Sequence, residues 1–98
     1  MPVGPSKPPK WSARAFTAFE KTLIHIAADD MFTAETVLAR VDRSVTLIQS
    51  QPGIGTPTAT PGVRRYPIPA TGHVITYRFV KGELRILRWF RARQNVRS

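Results

Sequence analysis

The segment Gln51 to Gly62, QPGIGTPTATPG, holds three prolines and three glycines in twelve residues. Such a run supports neither a helix nor a central strand, because proline lacks the amide donor and glycine loses the most backbone entropy on ordering. It is a loop, and it divides the 98-residue chain into two parts with different periods. Before it, apolar residues recur every three or four positions. After it they alternate. A chain divided in this way is α+β, with an N-terminal helix hairpin packed on a small, mainly antiparallel, twisted sheet.

The helical half begins after ten residues that contain four prolines. These ten residues are therefore expected to be extended or disordered and no part of the core, with 1–6 as a disordered tail. Ser12 is a good N-cap, and Phe16, Phe19, Leu23, Ile26 and Ala27 follow at spacings of three and four, which predicts a first helix over about Ser12 to Ala28. Asp29-Asp30 breaks it. Thr33 is the next cap candidate, with Glu35 in the first turn where a negative charge suits the helix dipole. Ala34, Val37, Leu38, Val41, Val45 and Ile48 then mark a second helix over about Thr33 to Gln49, antiparallel to the first because the link is short.

In the second half, VRRYPIPA is a poor strand, since Pro67 and Pro69 cannot donate ladder bonds, and it belongs at an edge or a bulge. HVITYRFV and ELRILRWF are rich in β-branched and aromatic residues and are joined by Lys81-Gly82 as a two-residue hairpin loop. That loop sets the register. Val80 faces Glu83, Phe79 faces Leu84, Tyr77 faces Ile86 and Ile75 faces Arg88, while on the other side Arg78 meets Arg85 and Thr76 meets Leu87. The apolar set of Ile75, Tyr77, Phe79, Leu84 and Ile86 should pack on the helices. Strict alternation sends one of Trp89 and Phe90 inward and leaves the other exposed or covered by a partner.

Charge is concentrated in the same half. From Val63 to Ser98 there are nine basic residues and one acid, Glu83, so this third carries +8 of the formal +9. The partner is therefore anionic, either nucleic acid or an acidic protein. A directly opposed Arg78/Arg85 pair is unfavourable by a few tenths of a kcal/mol. Either an anion sits there, or the guanidinium groups reach into water or are screened by Glu83. With no cysteine, no apolar leader and no stretch of membrane-spanning length, the chain is expected to be cytoplasmic and to have no membrane partner. There is no metal-ligand spacing and no phosphate loop, so no cofactor is expected. His25 lies mid-helix and His73 opens a strand, positions where a structural histidine is commoner than a catalytic one. Both helices use their stripes for the core, which leaves plain DNA binding without a recognition helix.

The order of elements now meets a set of local motifs. Trp11-Ser12 with Ala15, Pro52 and Gly55 after the second helix, Gly62-Val63-Arg64 before the sheet, Ile75-Thr76-Tyr77-Arg78, and Arg85-Ile86-Leu87-Arg88 followed by Arg91-Ala92-Arg93-Gln94 resemble, in order and spacing, the RelE/ParE superfamily of toxins from type II toxin–antitoxin pairs. The ParE branch is the nearer match. The resemblance covers about residues 9 to 95, and it implies a single toxin domain over 7–95 in the order β-α-α-β-β-β, with residues 7–11 as a first edge strand and 96–98 as a flexible end. It also implies a cognate antitoxin of ParD-like or related type with an acidic C-terminal segment.

Two functions follow from the resemblance. The first is a ParE-like poison that stalls DNA gyrase, with a contact surface drawn from Arg64, Arg78, Arg85, Arg88, Trp89, Arg91, Arg93 and Gln94 and no catalytic residue. The alternative is a RelE-like endoribonuclease that cuts mRNA on the ribosome, with Arg64, Arg78 and Arg91 around the scissile phosphate. The sequence departs from the ribonuclease pattern where the usual histidine is replaced by Arg91. Cleavage through an RNA 2′-hydroxyl calls for proton exchange near neutral pH, and arginine, with a pKa above about 12, supplies only positive charge. Whether the chain has an activity of its own as an enzyme stays open between these two readings.

Overall fold

The computed structural model describes residues 7–95; the tails expected at residues 1–6 and 96–98 lie outside the described residues. A two-residue strand, β1 (Lys10–Trp11), leads into helices α1 (Ala13–Asp29) and α2 (Met31–Ser50), and these are followed by strands β2 (Thr56–Pro57), β3 (Arg64–Ile68), β4 (His73–Val80) and β5 (Glu83–Arg91). The strands form one sheet in the order β1-β5-β4-β3-β2, antiparallel except for the β1/β5 pair. The helices cover one face. The architecture is the expected α+β hairpin-on-sheet.

Local chemistry explains the boundaries. Ser12 caps α1 by accepting from the Ala15 amide at 3.0 Å. The second helix starts two residues earlier than its periodicity predicts, because the cap is Asp30 and not Thr33. The Asp30 carboxylate accepts from the Phe32 amide at 3.0 Å and from the Thr33 hydroxyl at 2.7 Å. Thr33 is thus recruited as a donor to the cap. The proline-glycine loop contains a single 3₁₀ turn, Pro52–Ile54, and then the short edge strand β2. That strand pairs only with Arg64 and Arg65, so Pro67 sits where β3 is itself the sheet edge. The β4–β5 hairpin turns through Lys81 and Gly82 with φ of 52° and 78°, the left-handed pair that a two-residue type I′ turn requires.

The register agrees with expectation from Val80↔Glu83 to Tyr77↔Ile86 and then departs from it. A β-bulge inserts Leu87, so that Thr76 pairs with Arg88 and Ile75 with Trp89. Without it, alternation would drive the Arg88 guanidinium into the core and turn Trp89 out. The bulge exchanges the two. Its irregular backbone is tied down by Ser12, whose amide donates to the Ile86 carbonyl at 2.9 Å and whose hydroxyl donates to the Leu87 carbonyl at 2.8 Å. One residue caps α1 and satisfies the bulge. The core then gathers Phe19, Val41, Ile48, Ile75, Tyr77, Ile86 and Trp89 with their neighbours. Trp89 is 4% exposed, donates its indole N–H to the Thr22 hydroxyl at 3.0 Å, and meets Phe19 edge-on and His73 face-on, each at 4.8 Å between centroids.

Candidate functional site

Beside the core, the inner face is closed by a lock around Tyr77. Its hydroxyl donates to the Pro52 carbonyl at 2.8 Å and accepts from the Gly55 amide at 2.9 Å. Gly55 is glycine for room: a Cβ there would lie 2.7 Å from the Tyr77 hydroxyl and 2.8 Å from the Arg65 carbonyl. Arg64 donates to the Gly55 carbonyl at 2.7 Å. This arginine, expected on the contact surface, is therefore half-buried and engaged in holding the loop.

The outer face is different. Arg65, Thr76 and Arg88 lie side by side across β3, β4 and β5, and Arg78 faces Arg85 one step along the hairpin. A groove of about 730 Å³ runs over this face, lined by Arg65, Arg78 and Arg88, by Leu87 and Phe90, and by β2 with the adjoining residues 58–60. Leu87 and Arg88 both reach it because the bulge places consecutive residues on one side. Arg88 lies over the Phe90 ring, 5.4 Å from its centroid. Arg85 forms the one ion pair among the described residues, with Glu83 at 3.0 Å. Glu83 thus screens one member of the opposed pair and leaves Arg78 without an acid. Among the groove's lining residues no side chain exchanges protons near neutral pH.

The expected contact residues are therefore dispersed. Arg78, Arg85 and Arg88 share the outer face, while Trp89 is buried in the core, because the bulge turns it inward. Arg91 pairs with His73 at the far end of the hairpin and faces α1; Arg93 is exposed in the 3₁₀ turn Ala92–Asn95 that follows, and the Gln94 side chain lies outside the described residues. Arg91 lines a different cavity from the outer groove, so the Arg64, Arg78 and Arg91 cluster posed for phosphate chemistry is not drawn into one pocket. Arg65, missed in the sequence, completes the outer face. Its pairing with Thr76 follows once β3 is registered against β4, a step the prolines obscured.

His73 lies half-buried at the start of β4, with Nδ1 3.1 Å from the Thr71 carbonyl. Burial holds its pKa below the usual value, the Thr71 carbonyl opposes that shift, and the nearby Arg91 adds to it. His25, mid-helix in α1, is exposed. No group of three or more metal-ligating side chains occurs among the described residues, and no helix there is long and apolar enough to cross a membrane. On the two helices, Phe16, Ile24, Met31, Phe32 and Leu38 are all exposed, Phe32 by 74%.

A family profile described as the ParE toxin of the type II toxin–antitoxin system parDE matches residues 10–96. No curated protein sequence matches the chain. Among solved structures nine chains match, including one from the chromosomal ParDE TA system of P. aeruginosa, which is 22% identical with a TM-score of 0.72 over 88% of this chain and 96% of that one. At that identity the likeness is one of fold.

Proposed function

The chain belongs to the ParE toxin family of type II toxin–antitoxin systems, and from that premise we propose that it poisons DNA gyrase in the cytoplasm and is neutralised by a cognate antitoxin. The observation that carries this reading is the outer groove, where three arginines converge without a general acid or base among them. Such a surface grips an anionic or carboxylate-rich partner through charge-assisted, often bidentate hydrogen bonds and performs no proton transfer. That favours a poison that stalls a target over a ribonuclease that cuts mRNA. Arg93, exposed beyond β5, extends the same charge past the end of the sheet.

The antitoxin has two surfaces to engage. The exposed apolar residues of α1 and α2 suit an amphipathic helix, and the outer arginines suit carboxylates. These lie on opposite sides of the sheet, so a single segment that neutralised both would wrap around an edge and fold as it bound. The test of the target is direct. Purified protein added to gyrase and plasmid should inhibit supercoiling and accumulate cleaved DNA, while mRNA on programmed ribosomes stays intact. Codon-positioned cuts in A-site mRNA with gyrase unaffected would establish the ribonuclease alternative.

A further inference from the structure

A second basic site lies away from the outer arginines. Between α1 and the ends of β4 and β5 is a pocket of about 360 Å³, lined by Lys21, His25, His73 and Arg91, with Trp89 at its base and Thr22 beside it. Every charged or ionisable side chain in the lining is basic, and they come from three separate elements. Two acids, Asp29 and Asp30, line a neighbouring groove that shares His25, and Glu20 precedes Lys21 on α1 but is not in the lining. The Thr22 hydroxyl is already used, since it donates to the Ala18 carbonyl at 3.1 Å and accepts from Trp89. The pocket's free donors are consequently the basic groups. A carbonyl only accepts, so the Thr71 contact fixes the neutral His73 proton on Nδ1 and leaves Nε2 as the nitrogen that gains a proton on ionisation.

Basic groups from three elements gather there with no acid in the lining, so an anion is the natural occupant. We propose that this pocket binds a phosphate group, held by Lys21 and Arg91 at neutral pH and more tightly once His73 ionises. Phosphate fits better than a lone carboxylate because its tetrahedral oxygens offer acceptors in more directions to donors that come from three elements, and free phosphate, unlike a backbone diester with its single charge, also carries more than one negative charge. Its source is either free phosphate or a nucleic-acid backbone. Phe90 borders both this pocket and the outer groove, so a strand held by the outer arginines has a short route into it.

Sulfate is the cleanest probe, a tetrahedral dianion whose charge does not change where histidine titrates. In ring C–H spectra of the full chain at about pH 6, sulfate should shift the His73 and His25 signals saturably and raise the proton affinity of His73 about tenfold, one pKa unit. Sodium chloride of equal ionic strength should leave both in place. Lys21→Gln, on the exposed surface of α1, should abolish saturation while the rest of the spectrum stays folded. Displacement of sulfate by a short oligothymidylate identifies a backbone phosphate, and displacement by pyrophosphate alone identifies a free one. Equal shifts from chloride, or acetate binding as tightly as sulfate, would overturn the proposal.

Discussion

The two faces of the β4–β5 hairpin are built from alternate residues of the same strands, yet they follow opposite rules. On the inner face Ile75, Tyr77, Leu84, Ile86 and Trp89 are buried, and the polar atoms of Tyr77 and Trp89 are hydrogen-bonded. On the outer face Arg78 and Arg88 are exposed, and a single acid serves the opposed arginines. Stability is thus concentrated on one face and unspent charge on the other, as expected where a small fold supports its own core and presents a surface for something else. The bulge at Leu87 makes the division possible, because it changes the alternation between Ile86 and Trp89.

The sharpest test of that division compares neighbours in sequence. Trp89→Ala should cost about 3–5 kcal/mol in chemical denaturation, a large part of what a domain this small possesses. Arg88→Ala should change stability by less than about 0.5 kcal/mol. Similar losses for the two would show that the bulge does not separate fold from surface.

A smaller effect probes how the inner face is closed. Gly55→Ala places a methyl against the Tyr77 hydroxyl and the Arg65 carbonyl, and relief requires that the loop move or the tyrosine give up its bonds. A loss of about 1–3 kcal/mol in thermal or urea unfolding is expected. Tyr77→Phe combined with Gly55→Ala should cost less than the sum of the two single changes, since both act on one contact.

Much of this arrangement was legible in the sequence, and the misses have definite causes. Helix periodicity, the Lys81-Gly82 turn and the first four pairs of the hairpin register depend on local patterns, and they hold. The bulge depends on Ser12, 75 positions away from Leu87, and no local signal at Leu87 announces it. Trp89 was therefore assigned to the contact surface. Asp30 ends α1 as its sequence predicts, and it also caps α2 in place of Thr33, because a single residue both ends one helix and begins the next. Arg64 and Arg65 look equivalent as a pair, and only the pairing with β4 assigns one to the Gly55 lock and the other to the groove.

The boundary between the faces also has a pH signature. His73 has its pKa lowered from the ordinary 6.5, chiefly by burial. A depressed folded pKa means that its contribution to stability is fully present above 6.5 and is lost as pH falls through the lower folded value. The melting temperature should therefore decline modestly on acidification through that window, and His73→Gln should flatten the decline. A melting temperature that rose on acidification would place the histidine beside an acid it does not have.

If the outer arginines act on a target by charge and shape, they contribute nothing essential to the fold. The most direct measurement is gyrase-dependent DNA cleavage by the Arg78→Gln, Arg88→Gln double variant, followed alongside its melting curve. Cleaved DNA should disappear while the melt keeps its midpoint and cooperativity. Cleavage at the level of the unaltered protein, with the same intact melt, would contradict it.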